Sequence, residues 1–299
     1  MGQVTMRKGF RLLALLCLLP ALTGCLTRTR SIAKSRRPDI VLNATVDQLV
    51  KQVNERYDAV QSLTATVEIA ASSNDTVKGE AKDFPETRGY VLMRKPAMLR
   101  VIGLVPVLHT HAFDMVSDGN TFTLLISVKN RAITGSDAVS SPSKNVLENL
   151  RPNVFLDSLL VPGVGPDEFV SLTTDTRIMD LDPKRKVVIE EPDYNLTVTR
   201  RRGDSNEMIA LRVIHISRTT LLPYQQDIYD DSGNIVTQVV YGPYQDFGGT
   251  QFPSTVNIRR PLERYSVKLT MDRVRVNQPL DDKNFELKIP DGTQVQKLP

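Results

Sequence analysis

Apolar residues at Val46, Leu49, Val50, Val53, Tyr57 and Val60 recur at the three- and four-residue steps of an amphipathic helix. Thr45, with Gln48 three residues on, fits a capping box at its start. Past Leu63 the period changes to two. Alternating or short apolar runs predict strands over 63–71, 88–94, 98–103, 109–117, 121–127, 185–191, 194–200, 208–217, 224–230, 235–241, 254–260 and 264–276. Turn signals separate many of them, among them Ser117-Asp118-Gly119-Asn120, Asp230-Asp231-Ser232-Gly233-Asn234 and Gly248-Gly249. Residues 143–160 interrupt the alternation. Ser143 would cap a helix carrying Val146, Leu147 and Leu150, with Pro152 as its stop. Val154, Phe155, Leu159 and Leu160 make a second short apolar piece. Strands this closely spaced, with no long helix between them, predict an antiparallel sheet in a single domain over 43–299. The two mid-chain helical pieces would lie over it as a lid. A curved sheet with so few helices seldom fills its own concave face, which is then where a ligand would sit.

Ahead of this domain the pattern is different in kind. Arg7, Lys8 and Arg11 precede an apolar run from Leu12 to Ala21, the layout of a secretory signal peptide over 1–24. About 20 apolar residues are needed to span a bilayer, so the run is too short for that. It ends in Leu22-Thr23-Gly24-Cys25, which resembles the lipobox of bacterial lipoproteins. Small residues let the peptidase reach the bond, and the Cys25 thiol would carry the diacylglycerol thioether. Acyl chains anchor by about 0.8 kcal/mol per buried methylene, and more than one chain makes the anchor stable. Leu26, rather than Asp, follows the cysteine, which by analogy with enterobacterial lipoproteins directs the protein to the outer membrane, facing the periplasm. Residues 25–42 then read as a lipidated tether, whose Arg28, Arg30, Lys34, Arg36 and Arg37 would lie against anionic headgroups.

Charge and composition narrow the function classes. The formal net charge is +4, but eight of the 38 basic residues precede Pro38, and beyond Asp39 the acidic residues slightly outnumber the basic ones. A nucleic-acid partner is therefore not expected. Both cysteines, Cys17 and Cys25, lie before the domain, which excludes disulfides, thiolate catalysis and cysteine metal sites within it. His109 and His111 alternate on one strand and His215 is far along the chain; without a third ligand they predict no metal site. The acidic pairs Glu190-Glu191, Asp230-Asp231 and Asp281-Asp282 fall at strand ends or turns, and Arg200-Arg201-Arg202 at a hairpin end. No phosphate-cradling loop or nucleophile motif is present. The expectation is a binding protein, not an enzyme, with no catalytic residue and no cofactor.

One stretch stands out. Leu99 to Leu108 is almost wholly apolar, and Gly103 and Pro106 predict a turn around Leu104-Val105. Leu104, Val105, Val107 and Leu108 would then form an apolar loop that dips into a membrane or touches an acyl chain.

Around this stretch the sequence resembles the LolA/LolB family of lipoprotein-localisation factors. The similarity runs through Ser62-Leu63-Thr64-Ala65-Thr66, through Gly89 to Arg100 with its Lys95-Pro96, and through the Val116 to Phe122 hairpin. It continues through Leu222-Pro223 and Asp231-Ser232-Gly233 to Asp282-Lys283-Asn284-Phe285 and Pro290-Asp291-Gly292. The resemblance implies a mainly β, α+β fold: an incomplete antiparallel β-barrel, or half-barrel, with an N-terminal amphipathic helix and short lid helices over an apolar cavity. It implies acyl chains of lipids or lipoproteins as ligands, and a periplasmic carrier or envelope protein as partner. A lipobox favours the membrane-anchored receptor type, whose protruding apolar loop falls where Leu104 to Leu108 lie. The family's carrier latches its lid with an Arg before the Pro. Here Lys95 holds that position, with Arg94 beside it, and Lys lacks Arg's planar fork. The alternative is a structural or sensory envelope lipoprotein that uses the same fold without transport. It predicts a concave face filled by large side chains.

Overall fold

The computed structural model describes residues 30, 32, 34–75, 79–108, 110–137, 152–182 and 187–298. The lipobox with Cys25, His109 and the helix proposed from Ser143 lie outside these residues. The chain divides into two compact units. Of the described residues the smaller takes in 30, 32, 34–37, 178–182 and 187–190. Within it β1 (Lys34–Arg36) pairs in parallel with Val187–Ile189, and Arg37 stands 4.0 Å from Glu190.

The larger unit, Pro38–Arg177 with Glu191–Pro299, begins with helix α1 (Val46–Asp58). Its cap is the expected one: the Thr45 hydroxyl accepts from the Gln48 amide, and the Gln48 side chain accepts from the Thr45 amide. Next come β2 (Ser62–Asp75), β3 (Glu80–Asp83), β4 (Thr87–Arg94), β5 (Met98–Leu104), β6 (His111–Ser117), β7 (Thr121–Ile126) and β8 (Arg131–Ser136). Helix α2 (Pro152–Leu159) follows. The rest is β9 (Glu168–Asp182), β10 (Val187–Arg201), β11 (Met208–Ser217), β12 (Pro223–Tyr229), β13 (Ile235–Tyr241), β14 (Tyr244–Asp246), β15 (Gln251–Pro253), β16 (Thr255–Arg260), β17 (Tyr265–Val276) and β18 (Gln294–Lys297).

One expectation is corrected: the strands expected at 185–191 and 194–200 are a single strand, β10, because Pro192 and Asp193 are accommodated within it, and residues 185 and 186 lie outside the described residues. Pro152 stands at the first position of helix α2, where its fixed φ and missing N–H are tolerated, while the helix it was expected to stop lies outside the described residues. Strands β8 and β9 were not anticipated.

One large, mostly antiparallel sheet runs in the order β10-β11-β12-β13-β16-β17-β2-β4-β5-β6-β7-β8-β18, with β9 beside β10. It does not close into a barrel. It does curl. Helix α2 touches β16 and also β5 and β6. Three strands lie between β16 and β5, so a flat sheet would put them roughly 19 Å apart, beyond the reach of one helix. The inward face is a ladder of cross-strand neighbours: Leu196, Ile214, Gln226, Val239, Ile258, Val267 and Ala71. Helix α1 packs Leu49 and Val53 on Tyr194, Leu196, Ile214 and Ile216 at the β10–β11 end. Helix α2 packs Val154, Phe155 and Leu159 on the main core of β2, β4 to β8, β13 and β15 to β17.

The C-terminal tail is stitched across the outside. Arg94 donates to the Leu280 carbonyl (2.7 Å) and pairs with Asp282, and its guanidinium covers buried Phe285. Arg100 grips Asp114 with two bonds (3.0 and 2.6 Å) and donates to the Asn284 carbonyl (2.9 Å).

Candidate functional site

Strand β5 delivers Leu104 into the core, where it is 7% exposed, and the chain turns just beyond it. The Val105 amide donates to the Thr110 carbonyl (2.7 Å), and the Leu108 amide to the Pro106 carbonyl (2.9 Å). That second bond closes a three-residue turn around Val107 with φ +71°. This is the strained form of such a turn, and a β-branched residue is the wrong one to ease it. The turn is centred on Val107, not on Leu104-Val105 as its Gly and Pro predicted. Val107 is 88% exposed and Leu108 70% exposed, while Val105 is half-buried. The four loop residues therefore separate into an inner pair and an outer pair.

The inner pair faces a cavity of about 370 Å³ inside the curl. Its wall combines Leu104, Val105 and Pro106 with Ile69, Val101, Phe113, Met115, Leu124, Ile126 and Val267 from the sheet and Phe155 from α2. Its few polar groups are largely occupied with one another. The Ser72 and Ser266 hydroxyls bond at 2.8 Å, and the Thr87 hydroxyl donates to the Leu104 carbonyl. Val128 and Lys129, in a short 3₁₀ turn after β7, stand exposed at the mouth.

A second hollow, about 300 Å³, lies across α2, with Leu159 and Leu160 in its wall. Its other side is phenolic: Tyr57, Tyr241 and Tyr244, with the Arg56 guanidinium 5.2 Å above the Tyr244 ring. Burial raises the pKa of all three phenols. Fully buried Gln226 donates to the Tyr241 hydroxyl (2.9 Å) and to the Asp157 carbonyl (2.5 Å), pinning α2 to the sheet. Asp157 itself is exposed by area yet surrounded by protein on most sides. Burial raises its pKa to about 6, against the pull of Arg212.

Arg94 and Lys95, expected as a lid latch, take their bonds elsewhere. Arg94 holds the C-terminal tail. Lys95 donates to the Tyr57 carbonyl at the end of α1, with its ammonium 3.3 Å from the Tyr57 ring centroid. Burial lowers the Lys95 pKa, and Asp58 offsets part of that.

The outward face of β9 to β13 carries a polar network that sequence reading passed over. His215 bonds Asn195 (2.6 Å) and Asp227 (3.1 Å). Glu191 accepts from Ser217, Thr219 and Arg177. Tyr224 donates to Asp193 under the Arg177 guanidinium. Burial alone would raise Glu191 and Asp227, but these bonds outweigh it and lower both. The alternation that hides this network also reveals it: Glu191, Asp193 and Asn195 share one face of β10, as His215 and Ser217 do on β11. Most of its members bond one another, but the buried Asp193 Oδ1 and Arg177 Nε make no hydrogen bond among the described residues. Among the described residues no group of three His, Cys, Asp or Glu side chains is placed to hold a metal ion. His111 is 3.6 Å from Asp114 and remote in sheet order from His215.

No family model matches the sequence, and no curated protein matches it. Solved structures do resemble it. A LolA superfamily protein from Nitrosomonas europaea is 15% identical with a TM-score of 0.47, over 82% of this chain and 99% of that one. A DUF1329 family protein from Desulfovibrio piger is 14% identical with a TM-score of 0.48, over 80% and 94%. An outer membrane lipoprotein-sorting protein domain from Vibrio parahaemolyticus is 12% identical with a TM-score of 0.41, over 80% and 94%.

Proposed function

We propose that this chain is an envelope lipoprotein anchored through acylated Cys25, at the outer membrane and facing the periplasm. Its curled sheet acts as an incomplete barrel with α2 as part of a lid. It takes acyl chains of lipids or lipoproteins into the larger cavity, and receives or inserts lipoproteins at the membrane. The observation that carries this reading is the apolar hollow of about 370 Å³ with Val107 and Leu108 exposed beside Pro106 in its wall. A structural or sensory module has no use for such a hollow and would be expected to fill it. Binding is hydrophobic, at roughly 25 cal/mol per Å² of apolar area buried, and calls for no covalent chemistry.

Two substitutions separate the role of the turn from its stability. Leu104 is buried, so a charge there would disturb the fold; the outer pair is the place to test. Val107→Gly relieves a positive φ worth roughly 1–2 kcal/mol, against an entropy cost of roughly 0.5–1 kcal/mol for the added Gly, so the protein should be slightly stabilised. It also removes an apolar contact, so transfer of an acylated cargo to vesicles should slow. Leu108→Glu should slow transfer further, with the melting temperature unchanged. If both variants transfer at the parent rate, the turn has no part in membrane contact.

A further inference from the structure

We infer that the larger cavity takes the tail of one single-chain anionic amphiphile, with the anionic head at Lys129. This rests on the acyl-binding part of the reading above and replaces its lipoprotein cargo with a single-chain lipid. The first argument is volume. A water claims about 30 Å³ of liquid, and a methylene is of about that size, so a hollow of about 370 Å³ holds roughly twelve methylenes. A triacylated lipoprotein terminus would need about three such volumes. The second hollow is not continuous with the first, so a second tail of the same lipid would have to pass around α2 to reach it. Helix α2 stands between the two, turning Phe155 to one and Leu159 to the other, and the far hollow is lined by three phenols and Arg56.

The second argument is where charge is available. The hydroxyls of Ser72, Ser266 and Thr87 are already engaged. Among the described residues Lys129 is the one charged side chain in the lining of the larger cavity, and it is exposed. It makes no hydrogen bond or ion pair among the described residues. An amphiphile that enters tail first leaves its head beside this ammonium, so a carboxylate or phosphate is matched and a cation is not.

The full-length chain, stripped of bound lipid, is titrated with fatty acids from octanoate to stearate, with the matching alcohols, and with a triacylated lipopeptide. Affinity should rise by up to about fourfold per methylene. It should then level off beyond about twelve carbons, with one acid per protein by native mass spectrometry. Lys129→Glu should weaken the acids about fivefold and leave the alcohols unchanged. Three results would overturn the inference: no plateau, equal weakening of acids and alcohols, or a lipopeptide that binds as tightly as the best acid. Binding of the lipopeptide alone would sink this inference and leave the broader reading standing. Binding of no acyl compound at all would sink both.

Discussion

Asp157 shows how a single side chain records the shape around it. Its carboxyl is pushed up to about 6 from an ordinary 3.8. Between those two pH values the folded state holds a proton that the unfolded state has released. Stability therefore falls as pH rises through that window, and the loss persists above it. Asp157→Asn removes the penalty. Its urea midpoint should exceed the parent's at neutral pH and equal it below pH 3.8. The side chain keeps contact with water, so the gap will be a fraction of that for a dry carboxyl. Equal midpoints at both pH values would mean that the surroundings of Asp157 are as polar as bulk water. Gly103 is a second such record. A Cβ there would fall 2.2 Å from the Phe113 ring, which lines the larger cavity. Gly103→Ala should cost about 1–3 kcal/mol as the ring is displaced. Phe113→Ala in the same chain should recover part of that, which a double-mutant cycle reads directly. In the sequence Gly103 looks like a turn residue because Pro106 follows it. Its real task depends on a ring ten residues away across a strand pair, and no local pattern carries that.

The elements differ in how plainly the chain writes them. Helix α1 is legible because one stripe buries Leu49 and Val53 while the opposite side stays wet. Strands β4 and β5 are legible because they alternate in a half-buried sheet. Strand β9 is not: it lies at the edge of the sheet order, and Ser171, Thr173, Thr174 and Asp175 are exposed, so burial imposes little pattern on it. Strand β8 is six residues long and carries only Ala132 and Ile133 into the core. Helix α2 is legible as a short apolar piece, because Val154, Phe155, Leu159 and Leu160 all turn inward. Its role can be tested as a wall. Phe155 is 5% exposed and lines the larger cavity. Phe155→Ala should cost about 3 kcal/mol, because the new void adds to a hollow that cannot collapse. The same variant should move the fatty-acid plateau to longer chains. A plateau that stays in place would mean that α2 does not bound the ligand.

For the whole molecule, an antiparallel sheet with an unfilled concave face follows from the alternation alone. The curl does not, because segments far apart in the chain create it. Strand β17 pairs with β2 from Val276 opposite Leu63 to Tyr265 opposite Ser73. That pairing brings the exit of β17 against the loop that follows α1, and Asn277 fastens it there. Its side-chain oxygen accepts from the Gln61 amide (2.8 Å) and more weakly from Ser62 (3.4 Å), while its nitrogen donates to the Ala59 carbonyl (2.8 Å). Its backbone sits at φ +57°, a conformation that Asn tolerates better than most residues. The two contributions can be separated. Asn277→Gly loses the side-chain bonds, each worth about 1 kcal/mol, in a place where water can replace part of them. Asn277→Ala loses the same bonds and adds a left-handed cost of roughly 1–2 kcal/mol. Urea unfolding should therefore rank parent above Gly above Ala. Equal losses for Gly and Ala would show that the bonds alone matter at this junction. Because Lys95 ties its amide to the Gln61 carbonyl beside the same junction (2.9 Å) and its ammonium to α1, loosening Asn277 should also loosen α1 on the sheet. Amide hydrogen exchange in 46–58 should then rise in the Ala variant before the β4–β5 core opens.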